Sequence, residues 1–167
     1  MKLDELLVDT KLAWIEFPGC EGFEVEVANL SRKELVSLRK RCITTKFDRK
    51  TRMAEEILND DKFLHEFTKA TIKNWKGLKL KYLEDLILVE LGDNDPEIEL
   101  EYNFDNALSL VTNSSEFDNW INEVVFDLAN FRGGPEGDAV GSDRKVAKKQ
   151  RSKNDEGSVS GDDGSTG

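Results

Sequence analysis

The sequence predicts an α+β domain, mostly α-helical with an N-terminal β-hairpin, over residues 1–132, followed by a disordered Gly/Ser/Asp/Lys-rich tail over 133–167. Three observations predict it. Phe23, Val25 and Val27 alternate with Glu24 and Glu26, the period of a strand with one wet face. Phe117, Trp120, Ile121, Val124, Leu128 and Phe131 recur at intervals of three and four, the period of a helix with one apolar stripe. Composition then breaks after Arg132: residues 133–167 hold eight of the twelve glycines and no Leu, Ile, Phe, Trp, Tyr or Met. Such a segment buries too little apolar surface to offset the entropy of ordering it.

Each element follows in order. Residues 12–17 form the first strand of the hairpin, and Pro18, Gly19 and Gly22 make its connection. Ser31 with Glu34 three residues on is a capping box, opening a helix whose Leu35, Leu38 and Cys42 share a face. The stretch "TTKFDRKTR" reads as a polar connection. A second helix runs from about Asp61 through "KFLHEFTKATIKNW", turning Phe63, Phe67 and Ala70 or Thr71 inward, with Trp75 closing the stripe and Gly77 reversing the chain. The run "LKYLEDLILVEL" is read as helix, although its periodicity fits a strand as well. Ile98, Leu100 and Tyr102 alternate with Glu97, Glu99 and Glu101 in a short extended segment. Asn103 or Asp105 opens the helix in "NFDNALSLV"; Ser114 or Ser115 caps the last helix, which the glycine pair at 133–134 stops.

Charge and composition exclude several functions. The net charge of -10 argues against general affinity for polyanions. Yet the charge is segregated: Arg32 to Arg52 contains nine basic and two acidic residues, whereas Tyr82 to Phe131 contains thirteen acidic residues and no Lys or Arg. Cys20 and Cys42 lie in no ligand spacing, the first residues lack a signal-like apolar run, and no stretch approaches the roughly 20 apolar residues of a membrane span. A cytosolic protein with reduced thiols and no membrane contact is expected.

No catalytic residue, cofactor or metal is expected either. The single histidine, His65, sits on a helix between Leu64 and Glu66 and reads as a structural or surface residue, and abundant carboxylates are what a solvated acidic face provides. The segment from Asp93 resembles a calcium loop only superficially, because Ile98 stands where glycine is required and Phe104 where the bidentate glutamate is. The alternative function is a small nucleic-acid-binding regulator using the basic segment 32–52, helped by Lys73, Lys76, Lys79 and Lys81 around Trp75. The acidic half would repel a long polyanion, which makes nucleic acid the weaker reading.

Four stretches carry a family resemblance: the Trp-Gly turn in "KNWKGL", the acidic-apolar run into an Asn-Ala helix in "EIELEYNFDNALSLV", the closing "SSEFDNWINEVVFDLANF", and the opening "AWIEFPGCEGFEVEVANLSRKEL". Together, over residues 12–132, they resemble the small tail assembly chaperones of long-tailed bacteriophages. The resemblance implies a non-enzymatic protein of the host cell cytoplasm that binds the long helical tape-measure protein and keeps it soluble until tail-tube subunits polymerise around it. It also implies a longer form, made by frameshifting near "VAKKQRSKN", that recruits tail-tube protein; the Gly-Ser-Asp tail itself it does not explain. A chaperone for a long helix needs an exposed apolar strip or groove, and Trp75, Gly77, Leu78, Phe117, Trp120 and Phe131 are the candidate partner-binding residues. The segregated charge adds self-association as a further expectation.

Overall fold

The computed structural model describes residues 1–8 and 10–133, so the expected disordered tail lies outside the described residues apart from Gly133. In chain order the elements are β1 (Leu12–Glu16), β2 (Glu24–Ala28), α1 (Arg32–Arg41), β3 (Ile43–Asp48), β4 (Met53–Leu58), α2 (Asp60–Thr71), β5 (Ile72–Lys76), α3 (Leu80–Leu86), α4 (Phe104–Asn113) and α5 (Ser115–Val124). Short 3-10 turns occupy Leu3–Glu5 and Leu128–Phe131. The expected domain, mostly helical with one hairpin, is therefore corrected to an α+β fold in which five α-helices accompany two small sheets. One sheet has three strands in the order β1-β2-β5; the other is β3-β4 alone.

The expected N-terminal hairpin is present, with its alternation in phase. Ile15, Val25 and Trp75 form one cross-strand row, and Ala13, Val27 and Ile72 a second. These rows face the core, where Phe23, Val25 and Val27 are wholly buried. On the outer face Lys76 pairs with Glu24 at 2.6 Å, and its ammonium sits 4.8 Å from the Trp14 ring centroid. Helix α2 packs on β2 and β5, and α4 packs on α2 and α5, which closes the core over the sheet.

Three corrections have physical causes. First, α2 ends at Thr71, and Trp75 lies on β5 rather than closing a helical stripe. A bulge between Glu26 and Val27 in the β2–β5 pairing puts Ile72 and Trp75, three residues apart, on the same inner face. That spacing imitates a helical one. Second, "TTKFDRKTR" belongs to an antiparallel hairpin, β3–β4, and is no mere connection. Third, α5 stops at Val124 instead of at the glycine pair. Its last turn is capped by one local and one tertiary partner: Asn130 Nδ2 donates to the Val124 carbonyl at 3.0 Å, and the Leu30 amide donates to the Val125 carbonyl at 3.2 Å. Asp127 then opens the 3-10 turn by accepting from the Ala129 amide.

Helix starts follow the sequence closely. Asn103 caps α4 and Ser114 caps α5. At α1, Ser31 Oγ accepts from the Glu34 amide at 3.2 Å while the Glu34 carboxylate accepts from the Ser31 amide at 2.7 Å. That backbone hydrogen bond from Ser31 is the main reason the Glu34 carboxyl is held below its ordinary pKa. Ser31→Ala removes half of the reciprocal cap and is expected to lower unfolding stability by about 1 kcal/mol, read as a shifted urea midpoint at constant slope. An unchanged midpoint would mean that the cap contributes nothing.

Candidate partner-binding surface

The six residues expected to form a partner-binding strip are for the most part core. Trp75, Leu78, Phe117 and Phe131 are buried, and Gly77 and Trp120 are partly buried. Trp75, Phe117 and Trp120 belong to one aromatic cluster with Phe17 and Phe23. Phe117 stacks on Phe23 with centroids 6.1 Å apart; Phe17 meets Phe117 at 5.8 Å and Trp120 at 5.0 Å. Phe23 also meets Trp75 edge-on at 6.3 Å. The Trp75 indole N–H donates to the Leu100 carbonyl at 2.8 Å, so even its polar atom is committed inside the domain. Gly77 is a backbone device, placed against the carbonyl of Gly22. The question raised by lysines around Trp75 is thus answered in favour of packing.

The exposed apolar surface lies instead on β3–β4. All twelve residues of these strands are exposed except Ile57, which is intermediate. Among the described residues neither strand pairs with any other, so both outer edges are free. Directly paired residues share a face, which places Ile43 with Leu58 and Phe47 with Ala54 on one side, separated by Thr45 and Glu56. Phe47 is 64% and Met53 69% exposed, values that the domain's own packing leaves uncovered.

An isolated two-stranded hairpin is marginal in water. This one is held at both ends. At its base the Asn59 amide donates to the carbonyl of Cys42, itself wholly buried. At its tip Asp48 Oδ1 accepts from the Lys50 amide at 2.7 Å and the Asp48 carbonyl from the Arg52 amide at 2.9 Å, with Arg52 in the left-handed region at φ 56°. The only signal in the sequence is "ITTKF", β-branched and aromatic, followed six residues later by "MAEEIL". It is faint because no buried face imposes an apolar/polar alternation on the hairpin.

Most of the segregated charges stay outside ion pairs among the described residues. The basic residues of α1 and the β3–β4 hairpin take part in no ion pair among the described residues, although Arg39 lies over the Phe63 ring at 5.8 Å. Of the thirteen carboxylates between Tyr82 and Phe131, Glu97 alone is ion-paired among the described residues, to Lys79 at 2.7 Å and to Lys81. Those two hydrogen bonds, Lys79 first, pull the Glu97 carboxyl from 4.5 to about 2. Because the folded value is depressed, the stabilisation it contributes is complete above pH 4.5 and is lost as pH falls toward about 2. A carbon-detected titration is expected to find the Glu97 midpoint near 2, and to return it to the ordinary carboxylate range in a Lys79→Ala, Lys81→Ala chain. A midpoint unmoved by that double change would disprove the clamp.

His65 packs edge-on against Phe104 at 4.8 Å with Glu66 3.6 Å away, a surface arrangement. Among the described residues no group of three potential ligands could hold a metal, and no helix is long and apolar enough to cross a membrane. Comparison with family models, curated proteins and solved structures finds no match to this chain.

Proposed function

We propose that this chain is a tail assembly chaperone of a long-tailed bacteriophage, a non-enzymatic protein of the host cytoplasm that binds the tape-measure protein and keeps it soluble while the tail tube assembles. The observation that supports the reading most directly is the β3–β4 hairpin, an arm whose Ile43, Phe47 and Leu58 face solvent together. Large apolar side chains on a slender element with free edges gain by meeting an apolar stripe on another chain, and a long amphipathic helix supplies such a stripe. The cations of α1 and the hairpin favour a client with acidic flanks. The client-binding role thus moves from the aromatics of α5 to this arm.

The test is co-expression of the tagged full chain with the long helical protein encoded next to it, scoring solubility and co-purification of that protein. Co-purification that survives nuclease and moderate salt, and is lost with Phe47→Ser, supports the reading. An insoluble client together with a bait that carries nucleic acid overturns it in favour of a regulator using segment 32–52, the second reading, which rests on the nine basic residues of α1, β3 and the tip.

A further inference from the structure

We infer that the cationic tip of the β3–β4 hairpin docks on a second copy of this chain, on the acidic loop that follows α3. The tip presents Arg49, Lys50 and Arg52 on a turn whose shape is set by the Asp48 hydrogen bonds, so the three charges are displayed from a defined platform. Beside them Met53 is largely exposed. No ion pair among the described residues engages the tip within its own molecule.

The complementary surface has matching chemistry in reverse. Leu88 is fully exposed, at 105%, within a stretch carrying Glu90, Asp93 and Asp95. This loop is also ordered. The Asn94 side chain donates to the Leu91 carbonyl at 2.7 Å, the Glu97 amide donates to Asp95 Oδ1 at 2.9 Å, and Glu97 is clamped by Lys79 and Lys81. Because Glu97 absorbs those lysines, the remaining carboxylates of the loop keep their charge available. Each copy therefore brings three cations on the turn before one exposed apolar residue and three anions in the stretch after another.

Charge complementarity selects a second copy as the occupant. Tip and loop are different patches, so a single contact leaves a free loop on one copy and a free tip on the other, and further copies add head to tail into a ring or an open line. A line of copies, each with a free apolar hairpin face, suits a long client. The inference itself stands whether or not that client is the tape-measure protein.

The test measures the mass of the nuclease-treated full chain by light scattering and sedimentation as a function of concentration and salt. From about 0.01 M to about 1 M salt the screening length falls from about 30 Å to about 3 Å, and the assembly is expected to dissociate to the 18.9 kDa monomer across that range. A tip-neutral chain (Arg49→Ser, Lys50→Ser, Arg52→Asn) and a loop-neutral chain (Glu90→Gln, Asp93→Asn, Asp95→Asn) are each expected to self-associate at least about tenfold more weakly than the natural chain. Mixed, they retain one intact tip and one intact loop between them and are expected to give 1:1 dimers and nothing larger. A natural chain that is monomeric at every salt, an assembly indifferent to both sets of substitutions, or a mixture that grows past the dimer would each overturn the inference. Should a neutralised chain fail to fold, the salt dependence of the natural chain still decides it. Client co-purification, measured separately, reports on the functional reading and not on this contact.

Discussion

Gly77→Ala is expected to destabilise the domain by about 4 kcal/mol or more, close to the whole stability of many domains of this size. Two costs add. Gly77 sits at φ +73°, where a residue with a Cβ pays on the order of 1–3 kcal/mol. The added Cβ would also lie 2.0 Å from the Gly22 carbonyl oxygen and 2.8 Å from its carbon. Both obstacles are backbone, so no rotamer change relieves them. Either the turn before β2 or the end of β5 must move, and moving either breaks the row that joins Ile15, Val25 and Trp75. Gly92 is the matched control: its φ is +57°, yet a Cβ added there would meet nothing within 4 Å. Gly92→Ala is expected to cost only the conformational part, about 1 kcal/mol. Urea unfolding of both chains measures the difference; equal midpoints would show that the Gly22–Gly77 contact yields without penalty.

The same contact shows what the sequence makes legible. Gly77 reads from the sequence as a reversal point, which it is, but at the end of a helix, since Phe67, Thr71 and Trp75 fall at intervals of four. The true helix ends at Thr71 and the chain continues as β5, whose bulge reproduces helical spacing on an extended backbone. Where a strand has one buried and one wet face, as in β2, the alternation announces it. Where a hairpin has no buried face, as in β3–β4, no alternation announces it and only the β-branched and aromatic run "ITTKF" hints at a strand. Caps made from local side chains are visible at Ser31, Asn103 and Ser114, whereas the end of α5 depends on Asn130, folded back by the 3-10 turn, and on Leu30, which arrives there through tertiary structure. For the candidate surface the limit is similar. Aromatic richness marks residues 117–131 as sticky, but only the packing of Phe17 and Phe23 against Phe117 determines which way that surface faces.

This distinction gives the second large prediction. Phe117 has no exposed surface and contacts Phe17, Phe23 and Trp120, so Phe117→Ala removes a ring from the centre of the core. A loss of about 3–5 kcal/mol is expected, with the spread set by how far the neighbouring rings collapse into the space. Phe47 is 64% exposed on the hairpin, and Phe47→Ser is expected to change unfolding stability by no more than about 0.5 kcal/mol. The two substitutions therefore separate folding from binding. If the arm is the client-binding element, Phe47→Ser abolishes co-purification from a fully folded chain, whereas Phe117→Ala reduces it only in proportion to the fraction unfolded, and lowering the temperature restores it. Should Phe117→Ala instead abolish client capture at temperatures where the domain remains folded, while Phe47→Ser captures normally, the aromatic cluster would be the binding element after all. The hairpin would then be left to the contact between copies.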